Sequence, residues 1–329
     1  MNMVIRRTTT FLVAALACQT ACASNPRTEA KASSGGTQGA GGAAGSSPSD
    51  GRGLGDTPGS GGIAGGVGGQ DASLSTNGGQ VVCPAGWQLV WSDEFNGPAG
   101  SAADASKWLY ESGNGSGGWG NAELEYYRPG NANGAMDGHG NLMITAKQET
   151  YGGFQYTSAR LKTQGLATWT YGHIEARIKV PFGQGMWPAF WLLGDDIAKD
   201  GWPGCGEIDV MENIGKEPSK VHGTIHGPGY SGGSGPTAVY TLAGGATFAD
   251  DFHIFAIDWE QNAIHWSVDG QVYATKTPQD IGSGNTWVYG HPFFILLNLA
   301  VGGQWPGNPD NSTTFPQTMT IDYVRVCQK

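Results

Sequence analysis

The chain has 329 residues, of which 56 are glycine and 12 are tryptophan, and its formal net charge is -10. An acidic chain without a cluster of Lys and Arg after residue 7 does not match nucleic acid as a partner, so that class of function is excluded. Composition also changes sharply along the chain, so only part of it can bury a core.

Residues 1–23 are typical of an export signal. A basic pair precedes the apolar run Phe11–Ala17, which is too short to cross a membrane as a helix. Cys18 and Cys22 each follow small residues, so either could carry a lipid as in a bacterial lipoprotein, while the residues around Cys22 also fit simple cleavage. We expect export, with secretion and lipid anchoring to a bacterial membrane as open alternatives.

Residues 24–82 are predicted to be a Gly/Ser-rich linker. From about residue 33 to residue 79 the sequence has no aromatic residue and very few branched apolar ones. Such a segment cannot bury enough apolar surface to offset the entropy lost on ordering. The folded domain is therefore expected over residues 83–329, a length that is normal for a single β-sandwich or barrel.

The domain shows the period-two pattern of strands. In His173–Val180, four apolar residues alternate with four polar ones, which predicts a half-buried strand. Ala263–Lys276 alternates on both sides of Asp269-Gly270, which predicts a hairpin with a two-residue turn. Phe293–Leu299 is continuously apolar and fits a strand that is covered on both faces. No amphipathic helix longer than about two turns is evident, so the prediction is an antiparallel sandwich of two sheets.

Three cysteines belong to the predicted domain: Cys83, Cys205 and Cys327. Because the ends of a domain often lie close together and an exported domain meets oxidising conditions, we expect a disulfide between Cys83 and Cys327. The spacing of the three gives no zinc signature, and Cys205 is expected to be a buried free thiol.

The stretch Gly206–Asn213 holds three acids, Glu207, Asp209 and Glu212. In a regular strand the first two point to one face, and the third returns to that face only if a β-bulge at Val210 or Met211 absorbs one residue. Like charges this close raise the pKa of one group, so one carboxyl can serve as a general acid while another stays ionised.

An acidic row of this kind is also found on solvated faces and in metal sites, and its spacing does not decide between retention and inversion of configuration. Tryptophans nevertheless crowd the acids, and their rings suit the flat C–H faces of sugars. Trp187 and Trp191 are four residues apart and can share one face of a strand. Other tryptophans of this group are Trp119, Trp169, Trp202 and Trp305.

Several motifs in matching order resemble glycoside hydrolase family sixteen of the laminarinase type, from about residue 87 to residue 326. They are Trp91-Ser92-Asp93-Glu94-Phe95, Trp119-Gly120-Asn121-Ala122-Glu123-Leu124-Glu125-Tyr126-Tyr127, Gly185-Met186-Trp187-Pro188-Ala189-Phe190-Trp191, the acidic stretch, His222-Gly223-Thr224-Ile225-His226-Gly227-Pro228 and Asn298-Leu299-Ala300-Val301-Gly302-Gly303. The resemblance implies an all-β jelly-roll sandwich of two curved antiparallel sheets, with a concave glycan-binding cleft and a retaining mechanism.

The resemblance also implies roles for residues. Glu207 would be the nucleophile, Glu212 the acid and then the base, and Asp209 the group that maintains the proton balance of the nucleophile. The residues implied to hold the sugar chain are Asn121, Glu123, Arg160, Trp187, Trp191, His226 and Trp305. A structural calcium is implied at Glu94, Gly140 and Asp322, which offer the oxygen donors that calcium prefers, and no cofactor is implied for the chemistry.

The implied function is endo-hydrolysis of β-1,3-glucosidic bonds in laminarin-like β-glucan by a monomeric enzyme. The bulged spacing of the acids resembles the β-1,3-glucanase branch rather than the mixed-linkage lichenases. Three alternatives stay open at this point. The same fold could act on mixed-linkage glucan or on a galactan, it could transfer the glycosyl group to another sugar, or it could be a glucan-binding lectin without activity.

Overall fold

The computed structural model describes residues 83–329 as two sheets of β-strands. The strands, in chain order, are β1 Gln88–Asp93, β2 Leu109–Tyr110, β3 Glu125–Tyr127, β4 Gly134–Met136, β5 Leu142–Tyr151, β6 Phe154–Ser158, β7 Arg160–Lys162, β8 Gly172–Lys179, β9 Met186–Gly194, β10 Glu207–Glu212, β11 Lys220–His226, β12 Thr237–Thr241, β13 His253–Glu260, β14 Ala263–Val268, β15 Gln271–Lys276, β16 Phe293–Val301 and β17 Gln317–Gln328.

One sheet has seven strands in the order β12-β11-β10-β9-β16-β7-β2. The other has ten, in the order β15-β14-β13-β8-β17-β5-β6-β3, with β1 paired to β17 and β4 paired to β5. All pairs are antiparallel except the short pair of β3 with β6, which is parallel and departs from the expectation of purely antiparallel sheets. The predicted all-β sandwich is confirmed, and β10 lies near the middle of the seven-stranded sheet.

The core between the sheets follows from the alternation of side chains. In β8, Ile174, Ala176 and Ile178 are fully buried, as the period-two pattern predicts. His173 was placed on the polar face, yet it is also buried, because Asp258 and Glu175 accept its ring hydrogen bonds at 2.6 and 3.1 Å. All nine residues of β16 are buried, which confirms the strand covered on both faces.

The predicted hairpin is present as β14 and β15, joined by Asp269 and Gly270. Both turn residues have positive φ, 51° and 77°, as the favoured two-residue turn requires. The α-helix within residues 83–329 spans only Ile197–Asp200, in agreement with the prediction of no long helix. No helix in this part of the chain is long and apolar enough to cross a membrane.

A disulfide joins Cys83 to Cys327 with a Cα–Cα distance of 6.0 Å, which confirms the predicted pair. It ties the start of the described chain to β17. Cys205 is a buried free thiol, and burial raises its pKa to about 12. The predicted signal and linker, residues 1–82, lie outside the described residues.

Candidate active site

The bulge that the acidic stretch requires is present in β10. Against β9, Asp209 pairs with Trp191 and Met211 pairs with the preceding residue of that strand, so Val210 has no partner. Against β11 the register also shifts between Asp209 and Glu212. Val210 and Met211 both turn into the core, and Glu212 therefore returns to the face that carries the other two acids.

The first acid, Glu207, is held by two neighbours. Trp202 donates its indole N–H to Glu207 Oε2 at 2.7 Å, and Nε2 of His226 lies 3.8 Å from Oε1. Trp202 had been noted only as one of several tryptophans near the acids. A carboxylate that accepts a short indole hydrogen bond keeps one orientation, as an attacking group must.

The middle acid, Asp209, is 3% exposed, and His226 Nε2 lies 3.2 Å from its Oδ2. Burial, and then the neighbouring charge of Glu207, raise the pKa of Asp209 well above its ordinary value. The raised pKa favours the protonated form of Asp209, which can donate a hydrogen bond to Glu207. The ligand atoms of Glu207, Asp209 and His226 lie within 4.8 Å of one another.

The third acid, Glu212, is the candidate proton donor. Trp187 donates its indole N–H to Glu212 Oε1 at 3.0 Å. Burial, and then the charge of Asp209, raise the pKa of Glu212 well above its ordinary value, although His226 and the Trp187 hydrogen bond act in the opposite direction. A carboxyl whose pKa is raised holds its proton more tightly and is suited to general acid catalysis.

Aromatic rings extend the site beyond Glu212. Trp305 is 37% exposed, and its ring packs edge-on against Trp187 at 5.4 Å and against His222 at 4.9 Å. The Nζ of Lys216 donates to the backbone carbonyl of Trp305 at 3.3 Å. An exposed indole fixed by two neighbouring rings is a suitable stacking surface for a sugar.

A second polar group lies on the other side of the acids. Asn121 Nδ2 and the Tyr127 hydroxyl donate to the two oxygens of Glu123 at 3.1 and 3.2 Å. Asn298 links Tyr127 to Trp191, because it donates to the Tyr127 oxygen at 3.3 Å and accepts the Trp191 indole N–H at 2.7 Å. Since Trp191 lies opposite Asp209 in the sheet, this polar group adjoins the acids.

Arg160 belongs to the same side of the site. Its guanidinium lies 4.2 Å from the ring centre of Trp119 and 4.9 Å from that of Trp191. It forms an ion pair with Glu111, which also binds Lys162 at 2.7 Å. Burial alone would raise the pKa of Glu111, but the two cations hold it below the ordinary value, so Arg160 is fixed by an ionised partner.

The loop Gly118–Ala122 positions Asn121 and Glu123 through tight backbone geometry. Gly118 has φ 63°, and a Cβ added there would lie 2.3 Å from the backbone nitrogen of Glu123. Only glycine allows the chain to fold back this closely. The backbone N–H of Glu123 donates to Gly118 O at 3.2 Å, which closes the loop.

The structure thus brings the three predicted catalytic acids together with all seven predicted sugar-binding residues. Sequence reasoning did not single out Tyr127, Asn298, Glu111 or Glu125, although all but Glu111 lie within motifs that carry the resemblance. Asn298 carried a signal, because a polar residue inside the apolar run Phe293–Leu299 demands a buried hydrogen-bond partner.

The three residues predicted to hold calcium fit only in part. Both oxygens of the Glu94 carboxylate accept from Arg325, at 3.0 and 2.8 Å, and Asp322 accepts from Arg177 at 2.7 Å. Side-chain donation to a metal would have to displace these arginines. The backbone carbonyl of Glu94 lies close to Gly140 and is an oxygen donor that calcium accepts.

Comparison with known proteins agrees with this geometry. The family model described as "Glycosyl hydrolases family 16" matches residues 124–325. The clotting factor G alpha subunit of Tachypleus tridentatus is 44% identical over 74% of this chain and 34% of its own length, so the chain spans about a third of that relative. A beta-glucanase of Rhodothermus marinus is 41% identical over 73% of this chain and 85% of its own length.

A solved structure is similar over the same region. The endo-beta-1,3-glucanase from Pyrococcus furiosus has 49% sequence identity and a TM-score of 0.70, and the match covers 74% of this chain and 94% of the other.

Proposed function

The chain belongs to glycosyl hydrolases family 16, and from this membership and the geometry of the acids we propose that it hydrolyses internal β-1,3-glucosidic bonds of laminarin-like glucans with retention of configuration. The observation that carries the proposal is the bulge at Val210. It places Glu207 and Glu212 on one face in different environments: Glu207 is oriented by Trp202, and the pKa of Glu212 is raised, first by burial. The name of the Pyrococcus furiosus relative supports the β-1,3 linkage.

In the first step, a Glu207 oxygen attacks the anomeric carbon while Glu212 gives its proton to the glycosidic oxygen, so the bond to the leaving sugar breaks and a glycosyl ester forms. In the second step, ionised Glu212 takes a proton from water. The water oxygen attacks the anomeric carbon, and the ester bond to Glu207 breaks. The proton on Asp209 can move toward Glu207 as the charge of that carboxylate changes. No cofactor takes part in these steps.

The sugar chain is proposed to lie across the rings and the polar groups on either side of the acids. Trp187 and Trp305 offer stacking surfaces beside Glu212. Asn121, Glu123 and Arg160 offer hydrogen bonds beside Trp191. Polar groups at fixed positions between aromatic surfaces are how a groove selects the orientation of a glycan.

Glu207→Gln tests the nucleophile. We expect the release of oligosaccharides from laminarin to fall by at least about 1,000-fold, because the amide cannot form the ester. The melting temperature should stay close to that of the wild type. Glu217→Gln, which changes a carboxylate paired with Lys220 outside the acidic row, is the matched control and should retain full activity.

Products from a panel of β-glucans test the substrate and the reaction class together. New reducing ends from laminarin, with the β-anomer detected first by proton NMR, are the expected result. Binding of laminarin without new reducing ends would identify a lectin. Preferential cleavage of mixed-linkage glucan or galactan, or transfer to an added sugar, would replace the proposed specificity.

Export from a bacterium is proposed as well. It is supported by the basic and apolar pattern of residues 1–23 and by the disulfide between Cys83 and Cys327, a bond typical of oxidising compartments. Intact mass of the protein isolated from membrane and from medium distinguishes an acylated Cys18 or Cys22 from a cleaved, unmodified one. A mass that still includes residues 1–17 would contradict export.

A structural calcium is the remaining part of the proposal, held by backbone carbonyls such as that of Glu94 rather than by the two arginine-bound carboxylates. We expect the melting temperature to rise when calcium is added to chelator-treated protein, because an ion that binds only the folded state stabilises it. An unchanged melting temperature in millimolar calcium would contradict this site.

A further inference from the structure

A second pair of buried carboxyl groups, Glu123 and Glu125, lies beside the acids and is not used in the proposed reaction. We propose that Glu125 is a positioning residue that keeps its proton and shares it with Glu123, and so holds the glucan-binding carboxylate of Glu123 in place. This inference rests on the proposed function, since it assigns Glu123 to glucan binding.

The burial of Glu125 is the first argument. Its side chain has no exposed surface, and its Oε2 accepts the backbone N–H of Val301 at 2.7 Å. Its Oε1 is buried and has no hydrogen-bond donor among residues 83–329. An ionised carboxylate with one oxygen unpaired inside a protein is strongly unfavourable, whereas a protonated one can donate to an acceptor.

Glu123 is the acceptor that the surroundings provide. It is 7% exposed, and its oxygens already accept from Asn121 and from the hydroxyl of Tyr127. The charge and a side-chain hydrogen bond of Glu123 act on Glu125. Two neighbouring carboxyl groups out of water cannot both be ionised at low cost, so a single proton between them is the stable arrangement.

The cation beside the pair is already bound to another carboxylate. Arg160 is the positive group that faces Glu123 from β7, but it is bound to Glu111, which also holds Lys162. From β16 the backbone N–H of Val301 donates to Glu125, while the uncharged Asn298 donates to the Tyr127 oxygen. Tyr127, the other titratable neighbour, is a buried phenol whose pKa is raised well above the ordinary value, first by burial.

The titration of Glu125 agrees with the geometry. Burial, and then the charge and hydrogen bond of Glu123, raise the pKa of Glu125 well above its usual range. The proposal is that Glu125 stays neutral while glucan is bound and that a rise in pH removes its proton. Repulsion then separates the two carboxylates, and Glu123 moves away from Asn121 and Tyr127.

Glu125→Gln is the sharp test, because the amide keeps the shape and the neutral charge of a protonated carboxyl but cannot ionise. Binding of a soluble β-1,3-glucan oligosaccharide is measured by calorimetry from pH 6 to pH 9.5 in Glu207→Gln protein, with and without Glu125→Gln. We expect affinity to fall at least about fivefold with rising pH when Glu125 is present, and less than about twofold when it is glutamine. An equal alkaline loss in both proteins overturns the proposal.

Melting temperature against pH tests the shared proton without any substrate. Above about pH 5 the unfolded chain has released the proton that the native pair keeps, so rising pH destabilises the wild type relative to Glu125→Gln. The difference should grow by about 3 to 5 °C per pH unit. The exposed Glu260, changed to glutamine, is the matched control and should follow the wild type.

Carboxyl carbon-13 resonances give a second reading that does not need the Glu125 variant. In Glu212→Gln protein at pH 7, one glutamate carboxyl should still be protonated. Its absence, or equal pH slopes of the melting temperature, overturns the shared proton. Absence of glucan binding at every pH, with the slopes still different, instead contradicts the proposed function and with it the glucan-binding role of Glu123.

Discussion

The two glutamates proposed as nucleophile and acid each accept one indole N–H, and burial raises the pKa of Glu212. Glu207 and Glu212 each accept one indole N–H, from Trp202 and Trp187, but Glu212 also lies where burial and Asp209 oppose its ionisation. A tryptophan in this site is therefore both a surface for sugars and a hydrogen-bond donor to an acid. These two roles can be separated by substitution.

Trp187→Phe keeps an aromatic ring and removes the N–H that favours the ionised form of Glu212. Because that hydrogen bond lowers the pKa of Glu212, its loss should raise the pKa further. The alkaline limb of kcat/KM for laminarin should then move to higher pH by about one unit. The pH profile of the variant measures this directly.

Trp305→Phe is the control for the lost indole surface. Trp305 touches the ring of Trp187, while the hydrogen bond to Glu212 comes from Trp187 itself. Its replacement should raise KM and leave the alkaline limb in place. A Trp187→Phe profile with an unmoved limb, or one moved to lower pH, would show that the indole N–H does not tune Glu212.

At the scale of elements, the pattern of β10 predicted the bulge but not its surroundings. Because successive side chains of a strand point to opposite faces, Glu212 can share a face with Asp209 only if one extra residue lies between them. The structure places that residue at Val210. The alternation of side chains could not show that Trp202, which lies outside any strand, would contact Glu207. Such contacts depend on the path of a loop, which no periodic signal encodes.

His173 in β8 is a second case in which alternation was insufficient. The pattern placed it on the polar face, yet it bridges β8 to β13 through Asp258 and is covered by the ring of Trp87 at 6.3 Å. Burial alone would lower the pKa of His173, but the hydrogen bonds that Asp258 and Glu175 accept from its ring raise it to about 9. The native state therefore holds a proton that the unfolded chain, with a pKa of about 6.5, releases.

His173→Gln should remove this stabilisation. The contribution is fully present below about pH 6.5 and is lost as pH rises through about 9. Because Asp258 is 42% exposed and partly screened, we expect a loss of about 1 to 3 kcal/mol at pH 6 and much less at pH 10. Urea unfolding at the two pH values measures it, with the exposed His139→Gln as control, and equal losses at both pH values would contradict the charged pair.

At the scale of the whole molecule, the sequence predicted the strands and the sandwich but not the order of the strands. A period-two pattern indicates which face of a strand is buried, but it does not indicate which other strand pairs with it. The pairing of β17 with β1, β5 and β8 joins segments that are distant in the chain. The family resemblance supplied the jelly-roll, and the disulfide was foreseen only because the ends of domains tend to meet.

The disulfide offers a test of how the whole sandwich is stabilised. Cys83 and Cys327 are separated by 244 positions, so their bond restricts nearly the entire domain when it unfolds. Replacing both with serine should cost about 2 to 5 kcal/mol. For a domain of this size, that corresponds to a fall in melting temperature of about 5 to 20 °C.

Activity should change little in the same double variant. The bond lies at β17 in the ten-stranded sheet, whereas the acids lie on the seven-stranded sheet. The kcat on laminarin at 25 °C should therefore stay within about twofold of the wild type. Reductant should produce the same fall in the wild type and none in the double variant, whereas a loss of kcat at unchanged melting temperature would mean that the bond acts on the site rather than on the stability of the fold.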